Sequence, residues 1–298
     1  MNFFGKELNS YKAILHCHST RSDGKFSPQD AIKLYREAGY DIMALTDHNT
    51  PPSLEGLDSM GMCLLPGAEI HPMNPRHNMR WHIVALGIPG DFNCDHDQEA
   101  QEVVTNIKAA DGYAICAHPY WCGFDMNDLQ AIRGFDALEI FNTSCIPIGR
   151  SVSDMVWDEM LQAGHRLSAT AVDDMHTREH AFQGWINILA EENTPEAVMN
   201  ALKKGCFYSS RGPEIYRLSY ENNIFEAEFS PCTEVVVVSK YCYGQPFKLA
   251  HVPNADGTNE ITSIKFDFTG WFPTPGYFRL QMFDRNHKYA WTNPIYLD

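Results

Sequence analysis

Imidazole and carboxylate side chains recur between His16 and His176 at positions that suit metal ligation. His16-Cys17-His18 closes the apolar run YKAILH. Two histidines at i and i+2 on an extended chain project to one face, so both rings can reach a single ion. Asp23 follows in SDG, His48 ends DIMALTDH, Glu69 stands near the end of MCLLPGAEI, His82 opens WHIVALGI and His118 ends YAICAH. Asp174-Met175-His176 then repeats the i, i+2 pair after RLSATAVD. An isolated HxH is as readily two polar residues at a strand end as a metal site; the accumulation carries the argument. Six histidines (16, 18, 48, 82, 118, 176) and three carboxylates (23, 69, 174) exceed the four ligands of one tetrahedral ion. A centre of two or three divalent ions follows, with Glu69 as the bridging carboxylate. The absence of thiolate from the set suits Mn, Fe or Zn and excludes a cysteine-rich structural zinc site. Such ions lower the pKa of a bound water from ~16 towards ~7, so the expected nucleophile is a metal-bound water. Three divalent ions outweigh three carboxylates, and the resulting cationic cavity favours a small anionic, phosphorylated substrate.

The elements that position these residues alternate strand and helix up to about Tyr208. SPQDAIKLYREAGY predicts a helix with Ser27 as N-cap, Pro28 in its first turn and Gly39 as its stop. HDQEAQEVVTNIKAA, SVSDMVWDEMLQAG and TPEAVMNALKKG read as further helices between apolar strand runs. This is the rhythm of a parallel-strand barrel or a doubly wound sheet. In a barrel the C-terminal strand ends meet at one mouth, which is where the candidate ligands stand. His82 differs: it precedes its apolar run, so its strand is expected to run against the others or lie at an edge. After Gly212-Pro213 the helical pattern ends. EIYRLSYEN, NIFEAEFS, EVVVVSK, SIKFDFTG, YFRLQMFD and KYAWTNPIYL read as strands; several alternate polar and apolar residues, and turn residues separate them. The expectation is an α/β metallohydrolase barrel over 1–212 and a small antiparallel β-sandwich domain over 213–298.

The chain has 298 residues, 44% hydrophobic and 20% charged, enough to bury a sizeable core. Its formal net charge of -15 argues against general nucleic-acid binding, which needs lysine and arginine on phosphates. MNFFGKELNSYK lacks the apolar stretch of a signal peptide, and no window approaches a membrane span. Nine cysteines form no CxxC pair and mostly sit in apolar runs, so a cytoplasmic protein with reduced core thiols is expected. No GxSxG elbow, GxxxxGK[ST] loop or GxGxxG fingerprint competes with the metal reading.

The motifs resemble the PHP family, named from DNA polymerases and histidinol phosphatase. HCHSTRSDG is similar to its first motif, TDHN to its second, GAEI to its third, AHP to a later one and DDMH to its closing Asp-x-His. The TDHNT, EIFN, YSSRGP and AWTNPIYL segments resemble a stand-alone branch with a C-terminal β-domain, which includes nucleotide phosphoesterases and enzymes that cleave carbamates or carboxylic esters. The resemblance implies a distorted (β/α)7 barrel with up to three metals. His16, His18, Glu69 and Asp174 would hold one ion; Glu69, His82 and His118 a second; Asp23, His48 and His176 a third. Asp173 falls where relatives often carry serine, and reads either as an acceptor orienting a ligand histidine or as a solvated loop carboxylate.

Weaker candidates surround this set. Arg150, Arg178 and Arg211 follow strand-like runs and are placed to clamp a phosphate, although each also reads as an ordinary surface arginine. Tyr120 and Trp121 follow His118 and are candidates to line the pocket and bind substrate, or else are core aromatics. His180 is a candidate proton carrier. His71, His77, His96, His165, His251 and His287 fit no ligand motif and are expected to be structural or exposed. Phosphoester hydrolysis is the leading reading. Carbamate or carboxylic ester hydrolysis at the same centre is the second. A non-catalytic structural module is the third, and it would be expected to have lost ligands.

Overall fold

The computed structural model describes residues 1–76, 78–270 and 276–297. Local sequence signals set its helices. Pro28–Glu37 begins where the Ser27 hydroxyl accepts from Asp30 N, and Gly39 ends it at φ 81°, a conformation that costs glycine little. Ala100–Ala109, Asp154–Gln162 and Pro195–Lys203 occupy the other predicted segments, the last capped by Thr194.

A single large sheet carries the strands from Asn9 through the first two-thirds of the chain. From Trp185–Ala190 it passes in space through Asn9–Ile14, Ile42–Leu45, Cys63–Ile70, Ile83–Leu86, Tyr113–Cys116 and Ala137–Asn142 to Ser168–Val172. Asn9–Ile14, Ile42–Leu45 and Cys63–Ile70 are parallel, as are Tyr113–Cys116, Ala137–Asn142 and Ser168–Val172. Ile83–Leu86 lies between these two sets and is antiparallel to both neighbours. The expected reversal after His82 is therefore present. It has a physical cause: among the described residues no helix intervenes between Ile70 and Ile83, and a parallel return ordinarily needs a long crossover, usually a helix.

Alternating side chains feed different cores. Ile42 and Ala44 join Val84, Ile115, Ile186 and the helix residues Val198 and Leu202, while Met43 and Leu45 pack with Ile32, Tyr35, Val172 and Met175. The fold is mixed α/β, but its sheet does not close through a continuous ladder and does not plainly match the expected distorted (β/α)7 barrel. No ladder joins Ser168–Val172 to Trp185–Ala190 among the described residues, Trp185–Ala190 runs antiparallel to Asn9–Ile14, and the Ile42–Leu45 to Cys63–Ile70 connection contains no helix. The continuations of Asn9–Ile14 and Ser168–Val172 instead meet beyond the ladder. Cys17 and Met175 form an isolated parallel bridge, His18 N donates to Met175 O (3.0 Å) and Asp174 N donates to His16 O (3.1 Å).

The C-terminal strands form two layers around one aromatic and aliphatic core that includes Phe225, Phe229, Val235, Phe278 and Leu280. One layer has the order Ile261–Asp267, Ile224–Cys232, Ile215–Glu221, Asn2–Phe3 and Lys6–Glu7. Asn2–Phe3 pairs parallel to Ile215–Glu221, so this layer is not wholly antiparallel. The other layer is continuous with the large sheet, because Tyr289–Thr292 pairs with Phe207–Ser210. Both pairings cross residue 212. Among the described residues, no helix is long and apolar enough to cross a membrane.

An ion pair also ties the C-terminal sheet to the helical layer. The buried Arg279 guanidinium donates to both oxygens of Asp158 (3.0 and 2.9 Å) and lies 4.8 Å from the Trp157 ring. Asp158→Ala would leave that cation unpaired. We expect a loss of about 2 kcal/mol, below the usual 3–5 for a fully buried pair because Asp158 is partly exposed. Urea unfolding checks this: the midpoint should fall with the slope unchanged, and an unaltered midpoint would show the pair to be dispensable.

Candidate metal centre

The candidate ligands arrive from six chain segments whose ends meet on one side of the sheet. His16 and His18 lie beyond Asn9–Ile14 and are fully buried. His48, beyond Ile42–Leu45, forms an isolated parallel bridge with Glu69 in the last turns of Cys63–Ile70. His82 immediately precedes Ile83, so strand reversal brings the start of its strand beside the ends of the others. His118 follows Tyr113–Cys116 at φ 26°, and Asp174 follows Ser168–Val172 at φ 52°. Positive φ is costly for residues with a Cβ and is held in place by surrounding structure. Here His118 N donates to Glu139 and Asp174 N to His16 O.

Four atoms face one point: His16 Nε2, His18 Nε2, Glu69 Oε2 and Asp174 Oδ1. The two rings are 3.1 Å apart at Nε2. His16 lies 3.3 Å from each carboxylate, and His18 lies 3.4 Å from Glu69 and 2.9 Å from Asp174. Ligands bonded to a common ion at ~2.0–2.2 Å stand roughly 3–3.5 Å from one another, so these separations are those of a ligand cage. Glu69 turns its other oxygen to His82 Nδ1 (2.8 Å) and His118 Nε2 (3.3 Å). On the outer side Asp23 lies 3.4 Å from both His48 Nε2 and His176 Nε2, and 4.0 Å from His18 Nδ1. His18 Nδ1, His48 Nδ1, Glu69 Oε2 and Asp174 Oδ1 are buried and make no hydrogen bond. Buried polar atoms are rarely left so. The donor set and its orphaned atoms fit divalent cations.

Electrostatics agree. Burial opposes a charge on Glu69, yet the imidazoles around it, His16 and His82 first, hold its carboxyl well below the usual range. Asp174 is likewise held well below that range, burial being outweighed by His16 and His18. Burial pushes His82 down to about 4, which leaves a neutral ring with a lone pair at neutral pH.

Neighbouring groups aim the rings. Glu139 Oε1 accepts from His16 Nδ1 at 2.6 Å, which leaves the Nε2 lone pair free for the centre. Glu139 Oε2 accepts from His118 N and Asn142 Nδ2, both at 3.0 Å. His176 Nδ1 donates to Asp174 O (2.9 Å), and His118 Nδ1 lies 3.5 Å from Cys122 Sγ. Asn142 Nδ2 and Ser144 Oγ both donate to Asp174 Oδ2 (3.1 and 2.6 Å). Asp47 accepts from Ser19 N, Ser19 Oγ and Ser22 Oγ and so folds the loop that carries Asp23. Gly24 lets that loop close: a Cβ there would lie 2.4 Å from His18 O. Glu139, Asn142, Ser144 and Asp47 were missed in the sequence. Glu139 alone carried a usable signal, an acid inside the apolar run FDALEIF.

The weaker candidates separate. Asp173 neither orients a ligand histidine nor is solvated. It is buried and accepts from Tyr35 Oη, Thr143 Oγ1 and the backbone amides of Phe182, Gln183 and Gly184, which fixes the 182–184 turn. Trp121 packs edge-on to His82 and His118, with centroids 5.4 and 5.1 Å away, whereas Tyr120 is exposed under the Arg150 guanidinium. Arg150 also reaches the Tyr120 and Trp121 carbonyls. Arg211 lies over the Phe141 ring at 4.0 Å and donates to Gln183 O. Arg178 is exposed, and among the described residues its guanidinium makes no hydrogen bond. His180 Nδ1 accepts from His176 N at 3.3 Å. Contrary to expectation, His71 joins the cluster, with Nε2 3.4 Å from Glu69 Oε2. His96 and His165 lie at ion pairs and contacts elsewhere, with Asp97 and Arg133, and His77 lies outside the described residues.

Glu139→Gln should lower affinity for divalent metal by about 10–100-fold with the fold retained, because His16 loses its anionic acceptor. Competition with a chromogenic chelator reads the affinity, and wild-type binding in the variant would remove Glu139 from the centre.

No family model matches the chain. The curated 5′-3′ exoribonucleases of Salmonella typhimurium and Escherichia coli are each 35% identical to it over 80 residues, covering 25% of this chain and 27% of theirs. That of Haemophilus influenzae is 37% identical over 63 residues, covering 20% and 23%. The match thus spans about a quarter of the length of these curated relatives. Among solved structures, a two-domain protein of Bacteroides vulgatus containing a predicted PHP-like metal-dependent phosphoesterase superposes with a TM-score of 0.55 at 14% identity. The superposition covers 97% of this chain and 96% of that one. The fold is therefore that of the PHP-like proteins which the motifs of this chain resemble.

Proposed function

We propose that the chain is a metal-dependent hydrolase of phosphoesters, acting on a small phosphorylated metabolite or nucleotide. The observation that carries this reading is the convergence of six imidazoles and three carboxylates at ligand–ligand spacing, with buried lone pairs that nothing in the protein satisfies. In this reading His16, His18, Asp23, His48, Glu69, His82, His118, Asp174 and His176 hold two or three Mn, Fe or Zn ions. Such ions acidify a water and neutralise charge on phosphoryl oxygens.

The chain's own groups account for the rest. Glu69 would be shared between ions, since one oxygen faces His16 and His18 and the other faces His82 and His118. Trp121 walls the centre beside His82 and His118 and limits water there. Arg178, whose guanidinium makes no hydrogen bond among the described residues, is of the three candidates the arginine most available to a phosphate; Arg150 and Arg211 are already engaged by carbonyls and rings. His180 accepts at Nδ1 from His176 N, which leaves Nε2 as the nitrogen through which it would exchange a proton with substrate or water. The exoribonuclease relatives favour a nucleotide phosphoester, while the net charge of -15 favours a short one.

A panel of phosphomonoesters, nucleotide bisphosphates, cyclic phosphodiesters, short 5′-phosphorylated oligonucleotides, aryl carbamates and aryl acetates, assayed with Mn, tests the reading. The best kcat/KM should fall among the phosphorylated nucleotides. Arg178→Ala should cost these substrates about a hundredfold and neutral esters little. Efficient cleavage of carbamates or acetates alone would replace phosphoester hydrolysis with ester hydrolysis.

Metal analysis of gently purified protein should find at least two equivalents of Mn, Fe and Zn combined. Chelation, His16→Ala or His118→Ala should each abolish turnover, with circular dichroism retained because the large apolar core does not depend on metal. Near-normal turnover in either variant would overturn the site assignment.

A further inference from the structure

We propose that His71 is itself a metal ligand and forms, with Glu69 and His48, a further cation site at the outer edge of the centre; His48 then offers Nδ1 here rather than Nε2 to the Asp23–His176 side, since a neutral ring has one lone pair. The proposal rests on the metal-centre reading above. His71 stands two residues after Glu69, just beyond Cys63–Ile70, where extended chain puts i and i+2 on one face. Its Nε2 is buried, has no hydrogen-bond partner and lies 3.4 Å from Glu69 Oε2. That oxygen is also unpartnered, and His48 Nδ1 approaches it at 2.8 Å without making a hydrogen bond. Three ligand atoms thus stand within 4.8 Å of one another around a point that no protein donor fills.

The ring is held there. Its centroid is 4.4 Å from that of His48 and 3.9 Å from that of His82. Its backbone amide donates to Asn49 Oδ1 (2.9 Å), and its carbonyl accepts from Arg80 Nη1 (3.0 Å). Asn49 is placed for this by a left-handed turn at φ 47° immediately after His48. A histidine serving only packing would be expected to satisfy its buried nitrogen. One kept against two other imidazoles, facing the same carboxylate, is placed as those two are. Two nitrogens and one oxygen leave room for exogenous ligands and suit Zn, Fe, Co or Mn rather than Mg or Ca.

The test titrates Co(II) into metal-stripped full-length protein: wild type, His71→Ala, and His71→Gln, which retains more of the side-chain volume. Ligand-field absorption reads affinity, and hyperfine-shifted imidazole N–H proton signals count bound rings. Both variants should bind one equivalent at least about tenfold more weakly and lack one shifted signal, with the other equivalents unchanged. Wild-type affinities and a wild-type set of shifted signals in a folded His71→Gln protein would overturn the role of His71 and leave the centre standing. A wild type that takes up no Co(II) would overturn the metal centre and this site together.

Discussion

Glu69 is a carboxylate taken wholly out of water with no lysine or arginine within ion-pair distance among the described residues; its neighbours are the imidazoles of His16, His18, His48, His71, His82 and His118. Burying a charge on those terms is costly, because imidazole compensates it only when protonated. Crowding several protonated rings within van der Waals reach exchanges one repulsion for another. Divalent cations would resolve both demands: they would balance Glu69, Asp174 and Asp23 and would bind the rings in their neutral form. The remainder of the fold can be understood as the arrangement that delivers these groups to one point.

Delivery depends on two departures from a regular barrel. Ile83–Leu86 runs backwards, which carries His82 at its start to the place where its neighbours end. The ladder also stays open between Ser168–Val172 and Trp185–Ala190, while His16–His18, the continuation of Asn9–Ile14, pairs directly with Asp174–His176. The first and last ligand motifs are thus themselves part of the structural closure. Left-handed backbone at His118 and Asp174 belongs to the same bargain: Glu139 and His16 O hold these residues where isolated peptide would not stay.

Around the ligands lies a set of acceptors with divided tasks. Glu139 fixes the tautomer of His16 and the amide of His118, Asp47 folds the loop carrying Asp23, and Asp173 anchors the 182–184 turn. The C-terminal strands contribute no residue to the cluster. Their sheet continues the large one through Tyr289–Thr292, and the Arg279–Asp158 pair braces it against a helix.

Residue types and local periodicity were sufficient to identify His16, His18, Asp23, His48, Glu69, His82, His118, Asp174 and His176 as one candidate set, because ligands at strand ends leave a one-dimensional trace. The helices at Pro28–Glu37 and Pro195–Lys203 were legible for the same reason: their caps lie within a few residues of their first turns. The reversed strand was legible as an anomaly, since His82 precedes rather than follows its apolar run. What sequence did not contain was distance between segments. His71 looked unremarkable until Asn49 and Arg80 fixed its backbone beside Glu69. Glu139 reaches His16 across 123 residues, and Asp173 faced a turn rather than a ring. Whether the barrel closes was equally beyond local pattern, because closure depends on the pairing of the two outermost strands. Local chemistry named the candidate ligands; only tertiary packing decided which further polar groups meet them, because a buried lone pair is satisfied by whatever the fold brings within about 3 Å of it.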